Sequence, residues 1–101
     1  MSPKATLIIH DKQTDEHGNT VEIKLWSVSH DPEREHGMKY SLVYIVHGQR
    51  VIGYDNERGK RDRKHIDGVE FPYHFDSPRQ LKADFLADVT FWKEKYHGHK
   101  S

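Results

Sequence analysis

The chain reads as an α+β domain, an antiparallel meander of about four to five strands packed by one long C-terminal amphipathic helix. Three observations predict it: a strictly alternating run at residues 21–26, an apolar run at 40–47 followed at once by a reversal, and a capped helical repeat that begins at Ser77. Residues 5–10 form the first predicted strand, and the polar stretch 11–19, with its Gly18-Asn19 pair, is expected to be a hairpin loop. Next, Val21, Ile23 and Leu25 share one face while Glu22, Lys24 and Trp26 share the other, the pattern of a strand with one wet side. Trp26 thus falls on the wetter face. Residues 29–39 carry charge clusters, Pro32 and Gly37 with no hydrophobic period, and predict a surface loop.

Residues 40–47 (YSLVYIVH) are apolar on both faces, so this strand belongs in the middle of the sheet with the helix over one side. Gly48-Gln49 is read as the reversal into a strand at 50–55. Val69, Phe71, Tyr73 and Phe75 alternate in a further extended segment, which Pro72 confines to a sheet edge because proline cannot donate to a ladder. For the helix, Ser77 can cap, Pro78 suits the first position, and Gln80 completes a capping-box pattern. Leu81, Phe85, Leu86, Val89, Trp92 and Tyr96 then recur at helical spacing, and residues 97–101 should fray.

With 101 residues the chain has room for one core, so a single domain over 1–101 with an ordered part at about 5–96 is expected. Apolar residues make up 34% and charged residues 32%, but the apolar ones are clustered and periodic, which separates the chain from disordered sequences. Sixteen basic and sixteen acidic side chains cancel, which excludes binding of nucleic acid by overall charge alone and leaves only a local basic patch. The absence of cysteine excludes disulfides, thiolate zinc sites and thiol catalysis. Near the N-terminus the only apolar run is Leu7-Ile8-Ile9, far short of a signal-peptide core or of the roughly 20 residues of a membrane span. A cytoplasmic protein without a membrane segment is the expectation.

The segment 54–65 (YDNERGKRDRKH) leaves a strand and packs five basic residues, three acids and a histidine into twelve positions. Guanidinium forks and mobile ammonium groups at such density suit a phosphodiester, although a solvated loop that keeps a sheet edge from aggregating would look the same. Of nine histidines, His65 closes this segment and His74 follows it across Gly68 and Pro72, a spacing that could turn both toward one cleft. His97 and His99 form an H-x-H pair in the tail with no third ligand near in sequence, so no native metal site and no cofactor are assigned. Glycine-rich nucleotide loops and a nucleophile elbow are absent from the sequence.

The residues Lys39-Tyr40-x-Leu42-x-Tyr44-x-Val46-x-Gly48, then Tyr54-Asp55-Asn56-Glu57-Arg58-Gly59-Lys60, His65, Val69-Glu70-x-Pro72-Tyr73-x-Phe75 and the helix at 81–89 together resemble the TumE-like toxins of bacterial toxin–antitoxin modules. The likeness covers roughly residues 5–89, and its most specific element is the Y-D-N-E-R-G-K segment with the later histidine. It implies a cognate antitoxin, typically a helix-turn-helix protein, and a harmful activity that this partner holds in check. It implies no residue-by-residue mechanism.

Two functions compete. In the first, the toxin is a metal-independent ribonuclease. His65 and His74 would be acid and base, Arg58, Lys60 and Arg61 would hold the phosphate, and Tyr54, Asp55 and Asn56 would position them. In the second, the protein is a non-catalytic interaction domain that binds through its charged loop and sheet edge.

Overall fold

The computed structural model describes residues 5–28, 37–56 and 61–96. Six strands form one antiparallel sheet in simple sequential order: β1 (Ala5–Thr14), β2 (Thr20–Val28), β3 (Met38–Val46), β4 (Gln49–Asp55), β5 (Arg63–Ile66) and β6 (Val69–Pro72). One helix, α1 (Pro78–Tyr96), follows and packs on one side only. The α+β meander with a C-terminal helix is the architecture expected, with one or two strands more.

Alternation decides which side is buried. Ile23 and Leu25 on β2, Tyr40, Leu42 and Tyr44 on β3, and Ile52 and Tyr54 on β4 share the helix side, because their cross-strand partners are in register. From α1 they meet Leu81, Phe85, Val89 and Trp92, at helical spacings of four, four and three. Phe85 is fully buried and meets Tyr54 edge-on at 5.8 Å, while Trp92 meets Tyr44 edge-on at 5.7 Å. Leu86 and Tyr96, expected in this stripe, are 38% and 50% exposed. They lie at the margins of an apolar arc that a single sheet surface is too flat to cover.

The Ser77 hydroxyl accepts the backbone N–H of Gln80 at 3.1 Å, as a cap should. The Gln80 side chain turns away from the reciprocal capping-box bond, its amide donating to Asp84, one turn ahead, at 2.7 Å. β1 runs four residues beyond the predicted strand, so the first hairpin loop shrinks to 15–19. The polar residues 11–14 pair with β2 residue for residue, and on an edge strand their polarity carries no penalty.

The reversal after β3 is His47-Gly48, one residue earlier than predicted: both carry positive φ, 51° and 75°, as a type I′ turn requires. Asp67-Gly68 repeats that geometry with φ of 50° and 84°, and joins β6 to a strand, β5, that the sequence reading took as part of the charged segment. Most of the predicted loop at 29–39 lies outside the described residues, as do the tail histidines His97 and His99. Its last two residues, Met38 and Lys39, belong to β3.

Candidate functional site

Four tyrosines on the helix side each donate their hydroxyl to an aspartate. Tyr40 reaches Asp62 at 2.9 Å, Tyr44 reaches Asp15 at 2.8 Å, Tyr73 reaches Asp84 at 2.6 Å, and Tyr54 reaches Asp88. Burial first, and then the facing carboxylate, raises all four phenols, Tyr44 to about 12. Lys64 also turns to this side and bonds Asp88 at 3.2 Å. A groove of about 520 Å³ between β1 and α1 opens here, but its Lys93 and Asp15 lie 3.4 Å apart and are spent on each other. These groups hold helix to sheet.

The opposite side of the sheet has no element packed on it among the described residues, and the register lays it out in rows. One row runs Lys24, Ser41, Asp55, Arg63; the next runs Glu22, Val43, Gly53, His65, Glu70. Trp26 and Lys39 stand opposite each other one step before the first row, and Lys12 stands across from Glu22.

The charged groups gather over β4, β5 and β6. Arg63 Nε lies 3.3 Å from Asp55, and its Nη1 lies 3.8 Å from Glu70. His65 Nε2 stands 3.9 Å from the other Glu70 oxygen. Arg50 completes the group: its side chain passes over Gly53, and its Nη1 lies 3.8 Å from Asp55. A Cβ at position 53 would sit 3.0 Å from the Arg50 Cδ and 3.1 Å from its Nε, so the glycine makes the space that the arginine occupies. Beside this cluster is a depression of about 270 Å³ bounded by Arg61, Arg63, Glu70 and Pro72.

His74 lies two residues past β6. The Tyr73 N–H bonds the Asp62 carbonyl at 3.2 Å, which carries the ladder one step onward. Tyr73 and Phe75 pack into the helix-side core while His74 between them is exposed, so alternation sends His74 toward the open side. Because Glu70 is the residue opposite His65, His74 stands about 13 Å farther along that edge, with Arg63 and Pro72 between.

The remaining members of the predicted site separate. Asp55 is on the open face. Arg61 is exposed at the rim of the depression. Tyr54 is 1% exposed and bonded to the helix, on the far side from His65. Asn56 is also 1% exposed: its Oδ1 accepts the Tyr40 N–H at 3.0 Å and its Nδ2 donates to the Met38 carbonyl at 2.7 Å. Both residues take part in holding β3, β4 and α1 together. Arg58 and Lys60 lie outside the described residues. Sequence reasoning missed Arg50, Gly53, Arg63 and Glu70. The Asp67-Gly68 pair was the available signal, since a hairpin there puts Glu70 across from His65.

A family model described as Toxin TumE matches residues 2–93 of the chain. The chain belongs to the TumE toxin family. The resemblance carried by the Tyr-Asp-Asn segment is therefore real and extends over nearly the whole fold. TumE membership implies an antitoxin as partner. Neither the curated proteins nor the solved structures contain a match to the chain. No helix among the described residues is long and apolar enough to cross a membrane.

Proposed function

We propose that this TumE-family protein is a ribonuclease toxin of the cytoplasm, active on the open face of its sheet and restrained by a helix-turn-helix antitoxin. The observation that carries this reading is the grouping of His65 with Glu70, Arg63 and Arg50 on a face that no element covers among the described residues. A scissile phosphate fits over Arg63 and the adjoining depression, next to His65; His74, about 13 Å farther along the edge, is too distant to share it. His65, with Glu70 to stabilise its imidazolium, takes the 2′-hydroxyl proton. The 2′-oxygen bonds to phosphorus, the bond to the 5′-oxygen breaks, and a solvent water returns a proton to that oxygen, while His74 meets a phosphate farther along the strand. The guanidinium groups of Arg63 and Arg50 meet the charge that grows on the phosphorane oxygens. Arg61, together with Arg58 and Lys60, contacts the phosphates that follow. No step in this scheme calls for a metal.

The test is RNA cleavage by purified protein in EDTA, with the product ends identified. Termini bearing 2′,3′-cyclic phosphate, lost in His65→Ala and Arg63→Ala, support the scheme. Arg58→Ala and Lys60→Ala should relieve growth arrest with thermal stability unchanged. Growth arrest that persists in His65→Ala, or toxicity without any RNA cleavage, would favour the non-catalytic interaction domain instead.

A further inference from the structure

Trp26 plays no part in the proposed chemistry, yet it is a tryptophan on the side of the sheet opposite the helix-packed core, where among the described residues no further element packs, although Val28 beside it is buried. Its ring is half-buried, and the ammonium of Lys39 sits 5.1 Å from the ring centroid. The ammonium occupies that ring face, and a flexible lysine over an indole is a cover that a base can displace. Among the described residues the same face carries five cations, Lys12, Lys24, Lys39, Arg50 and Arg63, against the carboxylates Glu22, Asp55 and Glu70. The whole chain has a formal charge of zero, so this positive excess is a property of the face. A platform that is flat, positive and aromatic matches unpaired nucleotides, whose bases stack on any π surface while cations track the backbone. Duplex RNA, with its bases stacked inside, offers such a platform nothing to stack.

From this arrangement we infer that Trp26 and Lys39 form a base-stacking subsite for single-stranded RNA, remote from the site of cleavage. Three strand spacings and one row separate Trp26 from Arg63, roughly 16 Å, a span of a few nucleotides of extended strand. When a base lies on the indole, Lys39 leaves the ring for the adjoining phosphate. The subsite then fixes the register of the RNA on the sheet and, with it, which phosphate reaches Arg63. The inference rests on the reading of the protein as a ribonuclease.

The experiment titrates the full chain with a short 2′-O-methyl oligoribonucleotide, which cannot be cleaved because its 2′-oxygen is blocked, and follows tryptophan emission. The other tryptophan, Trp92, is buried beneath the helix and bonded to Asp67 at 3.0 Å, so a quenching signal belongs to Trp26. Single strand should quench the emission and its duplex should not. Trp26→Leu, which keeps apolar volume on the sheet without a π face, should weaken binding about fivefold to a hundredfold, and Trp26→Phe should restore most of it. Lys82→Ala, on the exposed surface of α1, should leave oligonucleotide binding unchanged. If the protein cleaves RNA but Trp26→Leu binds the oligonucleotide as tightly as the parent, the subsite is overturned and the ribonuclease reading stands. If the parent neither binds nor cleaves RNA, both fall together.

Discussion

Asn56→Ala is expected to unfold this protein more readily than any substitution in the open-face cluster. The Asn56 side chain closes the start of β3 by accepting from the Tyr40 N–H and donating to the Met38 carbonyl, at 3.0 and 2.7 Å, in a position that is 1% exposed. Alanine strands both backbone groups where water does not replace the amide, and each stranded group costs about 1–3 kcal/mol. The expected loss is therefore about 2–6 kcal/mol, a large part of the roughly 5–15 kcal/mol that a domain possesses. Asn56→Asp keeps the acceptor but loses the donor and sets a carboxylate against the Met38 carbonyl, so it should be no better. Urea unfolding followed by tryptophan emission measures this as a lower midpoint at unchanged slope. An Asn56→Ala protein of parental stability that has lost toxicity would refute the reasoning and return Asn56 to the substrate.

Ser77→Ala should cost about 1 kcal/mol by removing the hydroxyl that accepts the Gln80 N–H, with faster amide exchange confined to the first turn of α1. Burial alone would raise Asp15, but the N–H groups of Asn19 and His17, the Tyr44 hydroxyl and Lys93 together outweigh it and hold the carboxyl at about 2. A depressed folded-state pKa stabilises above the unfolded value near 3.8, so this contribution, about 2 kcal/mol at most, should fade as pH falls from about 4 toward 2, and Asp15→Asn should flatten that part of the acid-unfolding curve. Gly53→Ala should change stability by less than about 1 kcal/mol, since glycine within a strand is itself unfavourable. Its Cβ would nevertheless push Arg50 off its path toward Asp55, and RNA cleavage should drop while the melting temperature stays.

The fold was legible where burial imposes a period. Val21, Ile23 and Leu25 against Glu22, Lys24 and Trp26 announced a half-buried strand, and Leu81, Phe85, Val89 and Trp92 announced the face of α1 that the sheet covers. Where burial is weak, the period fades. The polar half of β1 and all of β5, whose residues are only partly buried, carry no apolar alternation, so hydrogen-bond pairing makes strands there that hydrophobicity does not mark. The site suffered from the same loss. Charge density pointed to residues 54–65, but a strand splits such a segment between two faces: Asp55, Arg63 and His65 go to the open side, whereas Tyr54 and Lys64 go to the helix. Arg50 and Glu70 join the cluster only through the register of neighbouring strands, which a linear reading that missed β5 did not contain.

The two sides of the sheet treat their carboxylates in opposite ways, and the contrast bears on which side works. On the helix side Asp15, Asp62, Asp84 and Asp88 each receive a tyrosine hydroxyl, short bonds in poorly solvated surroundings that fix side chains in single positions. On the open side the contacts of Asp55 and Glu70 with Arg50, Arg63 and His65 run from 3.3 to 3.9 Å, longer than the tyrosine bonds; Glu70 is 55% exposed, where ion pairs contribute typically about 0–1 kcal/mol, while Arg63 and Asp55 are each 16% exposed. Little is then lost when a phosphate takes over an arginine from Glu70, and the freed carboxylate remains next to the imidazole whose charge it would stabilise. A cluster whose purpose was to hold the fold would be expected on the side where bonds are short and water is scarce. Its place on the exposed side, over a glycine that yields its space to an arginine, is what a surface that exchanges partners requires.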